Sequence, residues 1–239
     1  MNKPEKIDCW NCGASFEWNR PDRYQPKPRL CGECAATEIR RNHAEAIENA
    51  MAKLEEKIPA RFLATDTGHP DFNLKLWDRI QTWRPTDERP WLGLIGPTGE
   101  SKTRCAFLLL RKIITGMIQP ADDPDIMLRQ PSLAIVSAYK FGEAVMGQFT
   151  NESKPEAVDF LRRLRTADLL LIDDLGKQRN TPAVSTELFA LIDHRHGENL
   201  VTIWTANTTP EGIVAGMPED MAAPLAGRIR ECSTIFNLL

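Results

Sequence analysis

From residue 91 to residue 239 the chain alternates short runs of consecutive apolar residues with stretches in which apolar positions recur every three or four residues. The runs are WLGLIG (91–96), LAIVSA (133–138), LLLIDD (169–174), LVTIWTA (200–206) and STIFNLL (233–239). Apolar residues on both parities of so short a run predict strands buried on both faces, hence a parallel sheet. The intervening stretches, 102–118, 139–149, 155–166, 182–196 and 218–228, carry helical periodicity, as the crossovers of a parallel sheet require. Further upstream, AATEIRRNHAEAIENAMAKLEEKI (35–58) lacks Gly and Pro and spaces Ile47, Met51, Leu54 and Ile58 along one face, which predicts an amphipathic helix. IQPADDPDIMLRQP (118–131) reads as a surface loop. The expected organisation is a small segment over 1–34, a linker helix over 35–58 and an α/β domain over 59–239.

Four of the six cysteines form C-x2-C pairs, Cys9/Cys12 and Cys31/Cys34, separated by 18 residues. This spacing fits a four-thiolate zinc site, with turns at Gly13 and Gly32 pointing backbone N–H groups at sulfur. Four thiolates close the tetrahedral shell, so the ion would be structural, and its binding would supply folding energy the short segment otherwise lacks. Two disulfides, disfavoured in a reducing compartment, or four unpaired thiols are the alternatives. Trp10, Phe16, Trp18 and Tyr24 are expected to wrap the metal, and the nearly balanced local charge favours protein docking over nucleic acid. Cys105 and Cys232, in apolar surroundings, read as core thiols.

After the first strand of the α/β region comes GPTGESKT (96–103). It approximates the phosphate-binding G-x4-G-K-[ST] loop, with Ser101 where the second glycine belongs and an additional Gly99. Gly96, Pro97, Thr98, Gly99, Glu100 and Ser101 would cradle the phosphates at a helix N-terminus. Lys102 would reach the β- and γ-phosphates of ATP or ADP, and the Thr103 hydroxyl would ligate Mg²⁺. Left-handed backbone at Ser101 would cost about 1–2 kcal/mol, so weakened turnover is one expected consequence of the serine. LLLIDD ends its run in two carboxylates, Asp173 suited to holding Mg²⁺ and Asp174 to orienting the attacking water; the bland alternative is a solvated turn. LVTIWTAN ends in Asn207, a neutral amide able to contact water and the γ-phosphate, or simply a strand-end cap. Loop, acid pair and amide each fall at the C-terminal tip of a strand, where doubly wound sheets bind ligands.

These residues, with the helix ELFALIDHRHGEN, the approach IPARFLATD (58–66) and the terminal LAGRIRE, resemble the AAA+ ATPases of the DnaC/IstB type, the helicase loaders and transposition helpers. The resemblance covers about residues 58–239 and implies a P-loop NTPase with a central five-stranded parallel sheet. It leaves out the zinc segment, although some loaders carry an N-terminal zinc-binding docking domain. Further implications are homo-oligomerisation with hydrolysis at subunit interfaces and an arginine finger at Arg228, with Arg230 in reserve. Arg195 is a further expected interface residue. For single-stranded DNA the implied contacts are Phe149 for stacking and Lys177 and Arg179 for phosphates, the alternatives being a core phenylalanine and ordinary solvated loop charges. The implied partner is a replicative hexameric helicase; a transposition helper, or a nucleotide-binding adaptor with little hydrolysis, are the competing readings. The sequence ends at Leu239, directly after the last strand, so the basic sensor that many relatives carry beyond it is not carried over.

Composition narrows this picture only a little. A net charge of −3 restricts nucleic-acid contact to local basic patches. No apolar run approaches the roughly 20 residues of a membrane span, and MNKPEKIDCW has no apolar core of a secretion signal, so a cytoplasmic protein without membrane association is expected.

Overall fold

A computed structural model describes residues 4–19, 27–150 and 154–238. In chain order the elements are β1 (Glu5–Asp8), β2 (Ser15–Trp18), α1 (Gly32–Glu55), α2 (Ala60–Leu63), α3 (Leu74–Ile80), β3 (Trp91–Ile95), α4 (Lys102–Met117) and β4 (Leu133–Ser137). They continue as α5 (Ala138–Gly147), α6 (Lys154–Thr166), β5 (Leu169–Asp173), α7 (Pro182–Gly197), β6 (Val201–Ala206), α8 (Pro210–Ile213), α9 (Glu219–Cys232) and β7 (Ser233–Asn237). The chain divides into two compact units, Met1–Met51 with Thr115–Gln130, and Ala52–Ile114 with Pro131–Leu239.

In the first unit β1 and β2 pair antiparallel, with Ile7 opposite Phe16. Helix α1 starts at Gly32 rather than at residue 35, so the second C-x2-C pair enters a helix instead of lying wholly on a turn. Along α1 the buried positions are Ala46, Ala50 and Leu54, four residues apart, whereas Ile47 and Met51 are half-buried. The connection after α4 lacks regular structure, as expected of its prolines and aspartates, and is tied to α1. Asn42 Nδ2 donates to the Pro124 carbonyl at 2.9 Å, and His43 Nε2 lies 2.8 Å from the Ile118 carbonyl.

The second unit is built on a five-stranded parallel sheet in the order β4–β5–β6–β3–β7. Alternating strand residues face opposite sides. Trp91, Ile95, Leu170, Ile172, Trp204 and Ala206 enter one core with Phe141, Leu161, Leu188 and Leu225 from α5, α6, α7 and α9. The opposite parity, Leu92, Leu94, Leu169, Leu171 and Ile203, is fully buried as well, so both faces are covered. At the sheet centre, Trp204 lies over Gly93 and its indole N–H donates to Ser233 Oγ at 2.9 Å, linking β6 to β7 across β3. A Cβ on Gly93 would collide with the Trp204 ring, which explains a glycine in the middle of a buried strand.

The expectation that Arg195 is an interface residue is corrected by its burial, for it is 0% exposed. On α7 it continues the buried stripe of Leu188, Leu191 and Ile192. Its guanidinium donates to the carbonyls of Leu164 (3.0 Å), Arg165 (3.2 Å), Ala167 (2.8 Å) and Val201 (2.6 Å), and Nε donates to Thr202 Oγ1 (2.9 Å). The charge thus satisfies the last carbonyls of α6, where a cation also suits the helix dipole, and fastens them to the start of β6. Burial lowers its pKa to about 9, with Asp168 opposing the shift. Replacing Arg195 with methionine is expected to cost about 3–5 kcal/mol, because several carbonyls lose a charged donor at once. Urea denaturation checks this; a loss under 1 kcal/mol would contradict the role given to the guanidinium.

Candidate functional site

The C-terminal ends of β3, β5 and β6 converge on one cavity of about 450 Å³. The loop from Gly96 to Ser101 leads directly from β3 into α4, so Lys102 and Thr103 occupy the first helical turn. Gly99 has φ 98° and Ser101 φ 56°, so the loop does use left-handed backbone at the serine. The anticipated strain of about 1–2 kcal/mol is therefore present. The Ser101 hydroxyl donates to the Asp71 carbonyl, and Glu100 Oε2 accepts from Asn73 Nδ2 at 2.8 Å. Lys102 is 6% exposed; its ammonium donates to the carbonyls of Gly96 and Pro97, both at 2.7 Å. Burial lowers its pKa, an effect opposed chiefly by the Asp174 carboxylate. At Gly96 a Cβ would meet Leu238 Cβ at 2.8 Å, so the loop's first glycine is set by packing against the chain that follows β7.

Because β6 lies between β3 and β5, the acid at the end of β5 must be reached across an intervening strand. Thr205, buried on β6, spans that gap: its hydroxyl donates to Asp173 Oδ1 at 2.7 Å. Thr103 Oγ1 donates to the same oxygen at 2.7 Å. Burial raises the Asp173 carboxyl above its usual range, while the two hydroxyls pull it back. The Thr103 hydroxyl and the Asp173 carboxylate are hard oxygen donors of the kind that can hold Mg²⁺. Asp174 stands at φ 60°; its N–H donates to Thr205 Oγ1 at 2.9 Å and its carboxylate pairs with Lys177 Nζ at 2.9 Å. Asn207 Nδ2 lies 3.3 Å from Thr98 Oγ1, whereas its Oδ1 is buried and has no hydrogen-bond partner among the described residues. A buried acceptor in that position calls for a donor from a bound molecule or water.

The cavity also takes in residues that the motif reading left out: Arg61, Phe62, Asp71 and Arg104. The guanidinium groups of Arg61 and Arg104 lie 4.5 and 5.3 Å from the centroid of the Phe62 ring. With the largely buried Phe62 ring, these guanidinium groups give the cavity a cationic wall. Thr205 was visible in the sequence only as a hydroxyl inside an apolar strand, two positions before Asn207.

The remaining expected residues are dispersed. Lys177 lines this cavity, and its ion pair with Asp174 ties it to the acid pair rather than to a separate surface. Arg179 lines a different depression with Tyr139, Glu143 and Met146. Phe149, just past α5, is 70% exposed and so is no core residue. Arg228 does not line its own chain's cavity. Its Nη2 pairs with Asp193 Oδ1 at 2.6 Å, its guanidinium lies 4.9 Å from the Phe189 ring centroid, and Nη1 is buried without a partner among the described residues. Arg230 pairs with Glu211. Helix α9 runs on to Cys232, past the expected end at 228, so both arginines are helical.

In the other unit the sulfurs of Cys9, Cys12, Cys31 and Cys34 all lie within 4.8 Å of one another. Cys12 and Cys31 are 3.7 Å apart, close to the roughly 3.8 Å edge of a tetrahedron with Zn–S bonds of about 2.3 Å. The Cys31 N–H donates to Cys9 Sγ at 3.3 Å and is the largest cause of a Cys9 pKa lowered to about 6. Asn11 Nδ2 donates to Cys34 Sγ at 3.3 Å. The cluster can hold a tetrahedral metal ion. Trp10 does not wrap it, being 77% exposed with Arg29 stacked on its ring at 5.1 Å; Phe16 and Trp18 are half-buried, and Tyr24 lies outside the described residues. Cys105 and Cys232 are buried, as expected of core thiols.

No family model and no curated protein sequence matches the chain. Among the described residues no helix is long and apolar enough to cross a membrane. Solved structures do match. The DnaC helicase loader aligns with a TM-score of 0.54 at 19% identity, over 76% of this chain and 100% of that one. DnaI aligns with a TM-score of 0.54 at 18% identity, over 78% of this chain and 97% of that one. AMPPCP-bound DnaA from Aquifex aeolicus gives 0.49 at 14% identity over 69% of this chain, which spans 45% of that one. The sheet order and the likenesses to DnaC and DnaI show that the chain shares the fold of those two structures.

Proposed function

We propose that this protein is an ATP-dependent loader of a replicative DNA helicase. One observation carries the nucleotide half of this reading: Lys102, Thr103, Asp174 and Asn207 line one cavity, Thr103 is bonded to Asp173 beside it, and a buried Asn207 oxygen lacks a partner among the described residues. The partner half is supported by the fold likeness to a helicase loader. ATP would lie with its phosphates over the loop at the start of α4 and its base against Arg61, Phe62 and Arg104. Mg²⁺, held by Thr103 and Asp173, would neutralise charge on the β- and γ-phosphates. Lys102 would turn from the loop carbonyls to the phosphates. Asp174 and Asn207 would position the attacking water, and Arg228 of a neighbouring protomer would meet the charge developing on the γ-phosphoryl group. The four-cysteine unit, closed by zinc, would dock on the hexameric helicase. Exposed Phe149, with Arg179, would take single-stranded DNA by stacking and phosphate pairing, whereas Lys177, paired with Asp174, would serve the nucleotide cavity.

Light scattering with and without ATP, single-stranded DNA and a hexameric helicase tests this. The 27.0 kDa chain is expected to assemble when ATP and the helicase are both present. A chain that stays monomeric under every combination would refute the loader reading. Assembly with ATP but turnover near background would favour the nucleotide-binding adaptor.

A further inference from the structure

The loop contains one residue that a phosphate cradle does not require, and that residue is bonded outside the loop. Ser101 adopts φ 56°, a conformation in which glycine is unstrained, and its hydroxyl donates to the Asp71 carbonyl. Its neighbour Glu100 accepts from Asn73 Nδ2 at 2.8 Å, and Asn73 Oδ1 in turn accepts from the Leu76 N–H at 2.9 Å, capping α3. Two consecutive loop residues therefore hold the turn Asp71–Asn73. Helix α4 holds the same segment further upstream. Arg104 Nη1 donates to Thr65 Oγ1 at 3.1 Å, and Arg111 donates to the carbonyls of Thr65 at 3.0 Å and Leu63 at 2.8 Å. This segment carries Arg61, Phe62 and Asp71 into the cavity.

A neutral hydrogen bond returns free energy comparable to what left-handed backbone costs at a serine. For stability alone, serine and glycine at this position nearly balance. What serine adds is a connection, since glycine offers no donor to Asp71.

Resting on the nucleotide reading above, we propose that Ser101 and Glu100 are positioning residues that clasp the base wall to the phosphate loop. The two ends of an ATP molecule then meet one preorganised surface, and the ordering of residues 61–73 is not charged against binding. The serine is thus a gain for nucleotide recognition and not a damaged glycine.

Calorimetric titration of ATP and of inorganic tripolyphosphate, each with Mg²⁺, separates the clasp from general damage to the loop, because tripolyphosphate has no base to meet the wall. Ser101→Ala keeps the strain and loses the bond; Ser101→Gly loses both. Each is expected to lower the ratio of ATP affinity to tripolyphosphate affinity about tenfold, the worth of one well-placed hydrogen bond. Glu100→Ala should lower the same ratio, and Glu100→Gln, which retains an acceptor for Asn73, should restore most of it. If the natural chain binds ATP and the ratio stays within twofold in both serine variants, the clasp is refuted alone. A Ser101→Gly chain that binds ATP more tightly with the ratio intact refutes it too. A natural chain that binds neither ligand overturns the nucleotide reading and the clasp together.

Discussion

Lys102→Ala is expected to weaken ATP binding by about 100-fold or more and to abolish turnover. The magnitude follows from the environment of the ammonium. At 6% exposure it has already left most of its water, and its two 2.7 Å bonds to Gly96 and Pro97 carbonyls compensate only in part, as its lowered pKa records. A triphosphate would offer the same ammonium charged acceptors, and hydrogen bonds between charged groups contribute about 1.5–3 kcal/mol each. Two such bonds amount to about two decades of affinity or more. Fluorescent-nucleotide titration measures the effect, with thermal unfolding as a control for the two loop carbonyls that lose their donor. An Ala variant that is folded and binds ATP within threefold of the natural chain would place the phosphates elsewhere.

Much of the scaffold behind this prediction can be read directly along the chain. Buried parallel strands are runs such as LLLID, apolar on both parities and bounded by turns, so the strand starts agree with expectation to within one residue. The hairpin EKID/SFEW is hidden by its brevity and charge, since its formation depends on the cysteine turns and not on a hydrophobic face. Arg195 illustrates another limit. Its type says surface, whereas its place on the stripe Leu188–Leu191–Ile192 says core; the carbonyls that settle the conflict come from the end of α6, 31 residues upstream at Leu164, and from the start of β6. Phosphate-side residues announce themselves because the loop motif is local. The base wall does not, since Phe62 and Arg104 meet only after the segment folds against α4. Ser101 likewise reads as a defect until Asp71 is seen beside it.

The second large effect concerns a residue that its own chain's cavity leaves out. Arg228→Ala is expected to leave ATP affinity within about twofold and to lower turnover of the assembled protein by about 10³-fold or more, the usual worth of an arginine finger. The guanidinium is held by Asp193 at 2.6 Å and by the Phe189 ring, a fixed posture that lowers the ordering cost of reaching a neighbour's γ-phosphate. Its side chain is 26% exposed and Asp193 49%, so breaking that pair should cost at most about 1 kcal/mol of stability. Arg230, 54% exposed and paired with Glu211, should tolerate alanine with little change. Mixing distinguishes a finger from a structural prop. Lys102→Ala subunits bind ATP far more weakly and do not turn it over but retain Arg228, so adding them to Arg228→Ala subunits would rebuild some interfaces with both halves intact. Turnover should then rise above that of either variant alone. If the mixture stays as slow as its parts while the two variants demonstrably co-assemble, Arg228 does not act across the interface.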